Sequence, residues 1–363
     1  MHRRPARDYF AARHNPYQIP DTRHPTPDTR FSLTDVVTLA AELLAIPSSS
    51  YDEGAVVDFV SRRLIARDWN VSLQEVTPGR CNIWATRGGG VVTLSTHLDT
   101  VPPYFAPRLE QDWLAGRGSC DAKGIAASML AAADALVESG EERFDLLFVV
   151  GEEKGSDGAR LANQLPATSK FLVNGEPTES VLASGAKGSL RVTARTHGKA
   201  AHSAYPHLGN SAITQLLTLL PKLDALKLPS DPILGDTTVN VGVIRGGVAA
   251  NIIPPDAEAE MMIRLVGDRH PVQRMIEEWA SGSAELEYGS HIPPQKFHTL
   301  PGFKTAPVAY TTDIPLLSRW GTPLLFGPGS IHVAHTPDER IALKELRESV
   351  NTYVRLVRTL ITS

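Results

Sequence analysis

The pattern of apolar and polar positions changes near residue 186, and the two parts of the pattern predict different kinds of structure. Before residue 186, short uninterrupted apolar runs predict strands that are buried on both faces. Strands that alternate with helices in this way predict an α/β layer with a mostly parallel central sheet. The predicted strands cover residues 91–95, 146–150 and 171–174, and helical patterns cover residues 36–44, 53–66 and 125–138.

After residue 186, apolar residues alternate with polar ones, which is typical of antiparallel strands that bury one face. We therefore interpret residues 186–297 as a smaller α+β domain inserted into a first domain made of residues 31–185 and 298–363. Within the inserted domain, strands are predicted at 189–196, 238–244 and 257–266, with helices near 211–225 and 271–280. The first domain then resumes with a strand at 323–326 and a helix from Leu343.

Residues 1–30 differ from the rest of the chain, because Arg, Pro and His are scattered among them without an apolar period. The segment lacks the continuous apolar stretch of a signal peptide. We interpret it as an extended N-terminal arm.

The composition argues against several classes of function. A chain of 363 residues, with 42% hydrophobic and 21% charged residues, is typical of a globular protein with one or two domains. The formal net charge of −4 argues against a nucleic-acid partner, and no apolar run is long enough to span a membrane. The two cysteines, Cys81 and Cys120, exclude a disulfide framework, so we expect a cytoplasmic protein.

The first candidate for chemistry is the segment H-L-D-T at residues 97–100, which follows the predicted strand at 91–95. Residues two apart on an extended chain point to the same side, so His97 and Asp99 can face one site. A neutral imidazole is a good Zn²⁺ ligand, and a nearby carboxylate can accept its second N–H. Taken alone, a His and an Asp at the end of a strand are more often a helix cap or a surface pair than a metal site.

Further polar residues follow other predicted strands, and ligands in α/β sheets bind outside the carboxyl ends of the strands. Each of these residues also has a simpler explanation, such as a helix N-cap, a solvated surface carboxylate or a turn residue. Spacing alone does not choose between the two histidines of the last segment. The candidates are Asp121, Glu152, Glu153, Glu176, and either His332 or His335.

Together, the motifs resemble those of the M20 family of metallopeptidases and amidohydrolases. This family includes acetylornithine deacetylases, succinyl-diaminopimelate desuccinylases, aminoacylases and a glutamate carboxypeptidase. The resemblance covers nearly everything after residue 30, and it implies a zinc-peptidase-like catalytic domain with an inserted lid and dimerisation domain. It rests on S-T-H-L-D-T-V-P, G-R-G-S-C-D-A-K-G, G-E-E-K-G-S, G-E-P-T, G-K-A-A-H-S-A-Y-P and G-P-G-S-I-H-V-A-H-T-P-D-E, in that order.

The resemblance implies a role for each candidate residue and two bound Zn²⁺ ions, with Co²⁺ as a substitute. Asp99 would orient a histidine ligand, and Glu152 would be the general base. His202 would complete an oxyanion site, often in the neighbouring subunit of a homodimer. The implied metal ligands are His97 and Glu176 for one ion, Glu153 and His335 for the other, and Asp121 as the bridge. The candidate substrate-binding residues are Asn251, Arg264, Lys187 and Thr311.

The charge balance supports this ligand set. Two Zn²⁺ ions carry four positive charges, and Asp121, Glu153 and Glu176 with a hydroxide supply four negative charges. Such neutrality makes a partly buried cluster tolerable. A water between two metals becomes acidic enough to act near neutral pH, and Glu152 can take its proton.

Three departures from the family pattern bear on the substrate. Met262 stands where the family commonly has Asp, two residues before Arg264. Lys187 is the only basic residue in a segment where desuccinylases commonly carry paired arginines, and Tyr310 replaces a common glycine. These differences favour an N-acyl amino acid with one carboxylate over a succinylated one.

We therefore expect an amidohydrolase that releases an L-amino acid from an N-acyl derivative, close to acetylornithine deacetylase. The alternatives are a dipeptidase or carboxypeptidase of the same family, release of an amino acid from a carrier protein, and a metal-binding scaffold without catalysis. A serine hydrolase, a one-zinc H-E-x-x-H protease and a dinucleotide-binding enzyme are disfavoured, because their motifs do not occur.

Overall fold

The computed structural model describes residues 35–363, so the predicted arm at residues 1–30 lies outside the described residues. Its strands are β1 (Asn70–Thr77), β2 (Arg80–Thr86), β3 (Val92–His97), β4 (Arg108–Leu109), β5 (Trp113–Ala115), β6 (Phe144–Val149), β7 (Phe171–Asn174), β8 (Leu182–Ala186), β9 (Gly188–His197), β10 (Ser230–Asp231), β11 (Gly235–Asp236), β12 (Thr238–Gly246), β13 (Asp256–Leu265), β14 (Glu285–Ile292), β15 (Gln295–Lys296), β16 (Thr305–Val308), β17 (Thr322–Leu325) and β18 (Arg340–Ala342). The helices are α1 (Val36–Leu44), α2 (Gly54–Ile65), α3 (Lys123–Glu138), α4 (Asp157–Ala162), α5 (Ala212–Leu219), α6 (Arg269–Ala280) and α7 (Leu343–Ile361).

Six strands form a central sheet in the order β1-β2-β6-β3-β7-β17. Strands β6, β3, β7 and β17 are parallel to one another, whereas β2 pairs antiparallel with both β1 and β6. Every residue of β3 and β6 is buried, including polar residues such as Thr93, Ser95 and Asp145, as expected for strands that are covered on both faces. The prediction of an α/β fold with a mostly parallel sheet is confirmed.

The antiparallel hairpin of β1 and β2 was not predicted. In β1, half-buried and exposed residues are interspersed, because this strand lies at the edge of the sheet. The hairpin turns at Gly79, whose φ of 80° lies in the left-handed region that glycine adopts without strain.

Helices α1, α3 and α7 pack against one another beside the central sheet. Helix α3 is rich in alanine and buried along most of its length, because small side chains allow its neighbours to approach closely. It ends before Gly140, as predicted, and this glycine has a φ of 83°. Residues 120–123, just before and at the start of α3, are buried beneath the carboxyl ends of the parallel strands.

A second sheet has the order β12-β13-β9-β14 and is antiparallel throughout. One face packs on α5 and α6 through alternate residues such as Val192, Met261 and Ile263. The other face, which we call the open face, carries mainly polar and charged side chains, with one methionine, from the two central strands. These are Arg191, Thr193 and Arg195 from β9, and Glu258, Glu260, Met262 and Arg264 from β13.

Short strands complete the fold. Strand β8 pairs with β15 and β16, and it leads through Lys187 directly into β9 of the second sheet. Strands β4, β5 and β18 form a further small sheet, and β10 pairs with β11. Among the helices of residues 35–363, none is both long enough and apolar enough to cross a membrane.

Candidate metal centre

Five of the predicted residues come together because the ends of neighbouring parallel strands meet at one edge of the central sheet. His97 is the last residue of β3, and Glu176 follows β7. Glu153 lies in a 3₁₀ turn, Glu152–Lys154, which follows β6. Asp121 precedes α3, and His335 lies in the long segment between β17 and β18.

The carboxylate of Asp121 lies between two groups of potential ligands. Its Oδ1 is 3.1 Å from His97 Nε2, and its Oδ2 is 3.2 Å from His335 Nε2. Glu153 Oε1 is 2.9 Å from His335 Nε2, and Glu176 Oε2 is 3.9 Å from His97 Nε2. One carboxylate therefore has an oxygen directed at each of two histidine–glutamate pairs.

This geometry distinguishes between the two histidines that sequence alone left open. His335 contacts both Asp121 and Glu153, although it is half exposed. It has a φ of 63°, which is uncommon for a residue other than glycine. Within residues 35–363, the side chain of His332 makes no hydrogen bond or ion pair with the cluster; its backbone N–H donates to Ser330 Oγ.

The donor set fits divalent metal ions. Ligand atoms of His97, Asp121 and Glu153 all lie within 4.8 Å of one another. Imidazole nitrogens and carboxylate oxygens are the ligands that Zn²⁺ takes in catalytic sites, and Co²⁺ accepts the same set. Buried carboxylates at this spacing repel one another, and this repulsion is relieved when cations lie between them.

Asp99 has a larger role than sequence predicted. Its Oδ1 is 3.4 Å from His97 Nδ1 and also accepts a hydrogen bond of 3.0 Å from the Glu152 backbone N–H. Its Oδ2 accepts hydrogen bonds from the Glu153 backbone N–H, at 3.2 Å, and from Ser50 Oγ, at 2.8 Å. The backbone carbonyl of Asp99 is the nearer partner of His97 Nδ1, at 3.0 Å, so the histidine ring is held by the Asp99 backbone with the carboxylate beside it. The carboxylate itself fixes the turn that carries both glutamates.

Glu339 is a supporting residue that the sequence reasoning missed. It is 1% exposed, and its Oε1 accepts hydrogen bonds from the backbone N–H groups of Gly118, Cys120 and Asp121. Its Oε2 lies 2.5 Å from Arg117 Nη1. Glu339 thereby holds the loop that presents Asp121. The only sign of this role in the sequence was the position of Glu339 at the end of the H-T-P-D-E segment, four residues after His335.

The electrostatics of Glu152 suit a proton acceptor. Burial raises the pKa of Glu152 well above its usual value, and the charges of Glu176 and Asp313 raise it further. Asp313 is itself 1% exposed, and burial raises its pKa to about 6. It lies two residues after Thr311, and the sequence reasoning gave it no role. A carboxylate whose pKa is raised towards neutrality is a more effective general base.

The two histidines carry protons that metal ions must displace. Hydrogen bonds to Asp121 and Glu153 raise the pKa of His335 to about 10. For His97, burial lowers the pKa, but hydrogen bonds to Asp121 and Asp99 outweigh burial and raise it well above the ordinary value.

We expect metal affinity to increase with pH, because only neutral imidazoles bind metal and both rings are protonated below their raised pKa values. The apparent association constant should increase about tenfold per pH unit for each displaced proton between pH 6 and pH 8. Calorimetric titration with Zn²⁺ in two buffers of different ionisation enthalpy measures the protons released. Affinity that does not change with pH would contradict this assignment.

Several predicted residues are not brought to the metal cluster within one chain. His202 is exposed, and its Nδ1 accepts a hydrogen bond of 3.1 Å from the Ala204 backbone N–H. Asn251 lies beside it, since its carbonyl accepts a hydrogen bond from the Ser203 backbone N–H. Lys187 Nζ donates a hydrogen bond to the Asp236 carbonyl. Among the described residues, the side chains of His202, Asn251 and Lys187 form no hydrogen bond or ion pair with the five cluster residues.

Thr311 shares a cavity with Glu152, and Arg264 is on the second sheet. Thr311 and Glu152 line one cavity of about 790 Å³, which we call the central cavity. Arg264 lies half-buried on the open face, where desolvation lowers its pKa. The fold and the acidic, histidine-containing cluster together define an α/β protein with a candidate metal centre.

Comparison with known proteins agrees with this class. Residues 184–285 match the family model described as a peptidase dimerisation domain of the M20 type. A peptidase M20 domain-containing protein of Schizosaccharomyces pombe is 39% identical over 336 residues, covering 89% of this chain and 84% of the relative. A protein of Aspergillus flavus described as a probable carboxypeptidase is 36% identical over 399 residues, and the match covers 94% of this chain and 93% of the relative.

The fold also has counterparts among solved structures. A tripeptidase from Staphylococcus aureus superposes with a TM-score of 0.79 at 21% identity, covering 92% of this chain and 99% of that structure. The chain belongs to the M20 family of metallopeptidases, which hydrolyse peptide-type bonds in a metal-dependent manner. The resemblance inferred from the sequence motifs is confirmed.

Proposed function

We propose that this protein is a two-metal exopeptidase that releases the C-terminal amino acid from a short peptide or an N-acyl amino acid. The observation that carries this proposal is the Asp121 carboxylate, with one oxygen directed at each histidine–glutamate pair. The relatives described as probable carboxypeptidases favour a peptide substrate. Hydrolysis of an N-acetylated amino acid such as acetylornithine stays a prediction for a substrate panel to test.

The proposed metal sites use all five cluster residues. His97 and Glu176 would hold one ion, Glu153 and His335 the other, and Asp121 both. Bound divalent ions supply Lewis-acid activation of a water molecule and of the scissile carbonyl. Three ligand carboxylates bring three negative charges to the site, so two divalent cations leave little uncompensated charge in a partly buried cavity.

Glu152 is the proposed general base. It accepts a proton from the attacking water at a carboxylate oxygen while the new C–O bond forms at the scissile carbonyl. The same carboxylic acid then donates the proton to the amine nitrogen as the C–N bond breaks. Glu152 suits this role because it lines the central cavity and its pKa is raised by burial.

Arg264 is the proposed partner of the substrate carboxylate. Its guanidinium is half-buried and forms no ion pair within 4.0 Å among residues 35–363. The free energy lost when burial removes water from this charge is therefore not offset by a carboxylate of the described chain. A carboxylate can offset that cost through two parallel hydrogen bonds.

Metal removal tests the proposal directly. Purified protein is expected to contain up to two Zn²⁺ per chain by elemental analysis and to hydrolyse members of a panel of dipeptides and acylated amino acids. Dialysis against a strong chelator should abolish turnover, and added Zn²⁺ or Co²⁺ should restore it. Full activity after verified removal of both ions would refute the two-metal proposal.

We also propose that residues 186–297 form a lid that pairs two chains into a homodimer. The matched dimerisation model lies within this part of the chain, apart from its first two residues. Strand β12 lies at the edge of the second sheet and exposes Val243 and Ile244, and unpaired apolar edges favour association. In such a dimer, His202 of the partner subunit would complete the site, which agrees with the exposed position of His202 in the single chain.

Replacing His202 with alanine is expected to lower kcat by about 100-fold or more, the effect of losing one group that stabilises an oxyanion. Metal content should be unchanged, because His202 contacts no cluster residue within its own chain. Mixing the H202A and E152Q variants should restore part of the activity if the sites are shared between subunits. Loss of zinc from H202A would instead place this histidine among the ligands.

A further inference from the structure

We propose that Arg191 is a second anion-binding residue of this site and that the preferred substrates carry an acidic C-terminal residue. The inference rests on the proposed function, since it names the substrate class that the same cavity takes. It differs from the sequence-based expectation of a substrate with a single carboxylate.

Arg191 lines the central cavity together with Glu152 and Thr311. It is exposed on the open face of the second sheet, whereas Glu152 belongs to the metal-binding part of the chain. Arg160, from α4, lines the same cavity and adds a second positive charge. A substrate group that reaches away from the metal centre through this cavity therefore meets cationic side chains.

The register of the second sheet places Arg191 beside Arg264. Met262 lies directly opposite Arg191, and Arg264 lies directly opposite Ser189. Arg191 and Arg264 are thus diagonal neighbours on one face, with their α-carbons about 7–8 Å apart. The two carboxylates of a C-terminal aspartate or glutamate are only a few bonds apart, so two flexible arginines at this spacing can bind both.

The positive charge of Arg191 is available to a ligand. Among residues 35–363 it forms no ion pair within 4.0 Å. The acidic residues of the open face are already paired, since Glu258 contacts Arg195 and Glu260 contacts Arg245. Glu260 lies close enough for the charge of Arg191 to lower its pKa, but its carboxylate pairs with Arg245.

Met262 gives this arrangement its specificity. Side chains directly opposite each other on neighbouring antiparallel strands have their β-carbons about 4.5–5.5 Å apart. An aspartate at position 262 would lie across from Arg191 and neutralise it. The methionine in this chain leaves the guanidinium free for the substrate.

The experiment compares substrates that differ only in charge, such as Ala-Glu with Ala-Gln, using the metal-loaded full chain. We expect kcat/KM to favour the acidic substrate about 10–100-fold, the range for a charge-assisted hydrogen bond. The R191Q variant should lose at least tenfold of this preference. M262D should do the same with Arg191 still present, and R191E should favour Ala-Lys over Ala-Glu.

The matched control is R195Q, which removes an arginine from the same strand and face but outside the central cavity, and should keep the preference. Inhibition of the unaltered enzyme by free glutamate, compared with glutamine, gives a readout that needs no variant and should favour glutamate. Equal kcat/KM values for both substrates, or an unchanged preference in R191Q, would overturn the role of Arg191 alone. Failure to hydrolyse any dipeptide or acylated amino acid would overturn the proposed function as well.

Discussion

The E152Q variant is expected to keep its metal ions and lose about 10²–10⁴-fold in kcat, the usual contribution of a general base. Glutamine has nearly the same shape as glutamate but cannot take a proton from water at neutral pH. Glu152 contacts neither histidine of the cluster within 4.0 Å, so its replacement should leave the ligands in place. Single-turnover kinetics and elemental analysis on the same sample would measure both quantities.

The neighbouring residue provides a matched control. Glu153→Gln changes the same functional group one position along the chain, but Glu153 lies 2.9 Å from His335. This variant should lose metal as well as turnover, whereas E152Q should lose turnover alone. A near-normal rate for E152Q would remove Glu152 as the base, and parallel loss of zinc in both variants would make it a ligand.

The D121N variant is expected to have the second large effect. Asparagine has one acceptor oxygen and one amide donor, so it cannot direct an acceptor at both histidines, as Asp121 does. We expect metal affinity to decrease more than about 100-fold, since the loss of a partner outside the ligand set alone costs 10–100-fold. Turnover should fall below detection at equal metal concentration.

Competition with a chromogenic chelator measures the affinity of D121N, and circular dichroism checks its fold. The exposed Asp112 provides a control, because D112N makes the same chemical change at a side chain that forms no hydrogen bond or ion pair with the cluster residues, and this variant should bind metal normally. Retention of two tightly bound ions by D121N would exclude Asp121 as the bridging residue.

The strands that could be predicted from the sequence are those that contain a short run of mostly apolar residues. Strands β3, β6 and β7 are buried on both faces, so their sequences differ clearly from those of helices and loops. The β1–β2 hairpin escaped prediction because its edge strand is largely polar. In the second sheet, alternation predicted three strands, but the polar strand β14 was missed.

The candidate site was predictable where a polar residue lies at or just after the end of a buried strand, as His97 and Glu176 do. It was less predictable where a side chain acts on backbone groups. Asp99 and Glu339 accept hydrogen bonds from amides of distant turns, and such pairing leaves no spacing pattern in the sequence. Spacing alone did not choose between His332 and His335, because the path of a long loop decides which ring reaches the cluster; the family motif indicated His335, and this histidine contacts Asp121 and Glu153.

The hydrogen bonds from the Asp121 loop to Glu339 determine when the candidate site can form during synthesis of the chain. The carboxylate that fixes the Asp121 loop belongs to Glu339, 218 positions further along the chain. His97 and Asp121 leave the ribosome early, whereas His335 and Glu339 follow only after the whole second sheet has been synthesised. The five-residue cluster and its support by Glu339 are therefore complete only after nearly the whole chain has been synthesised.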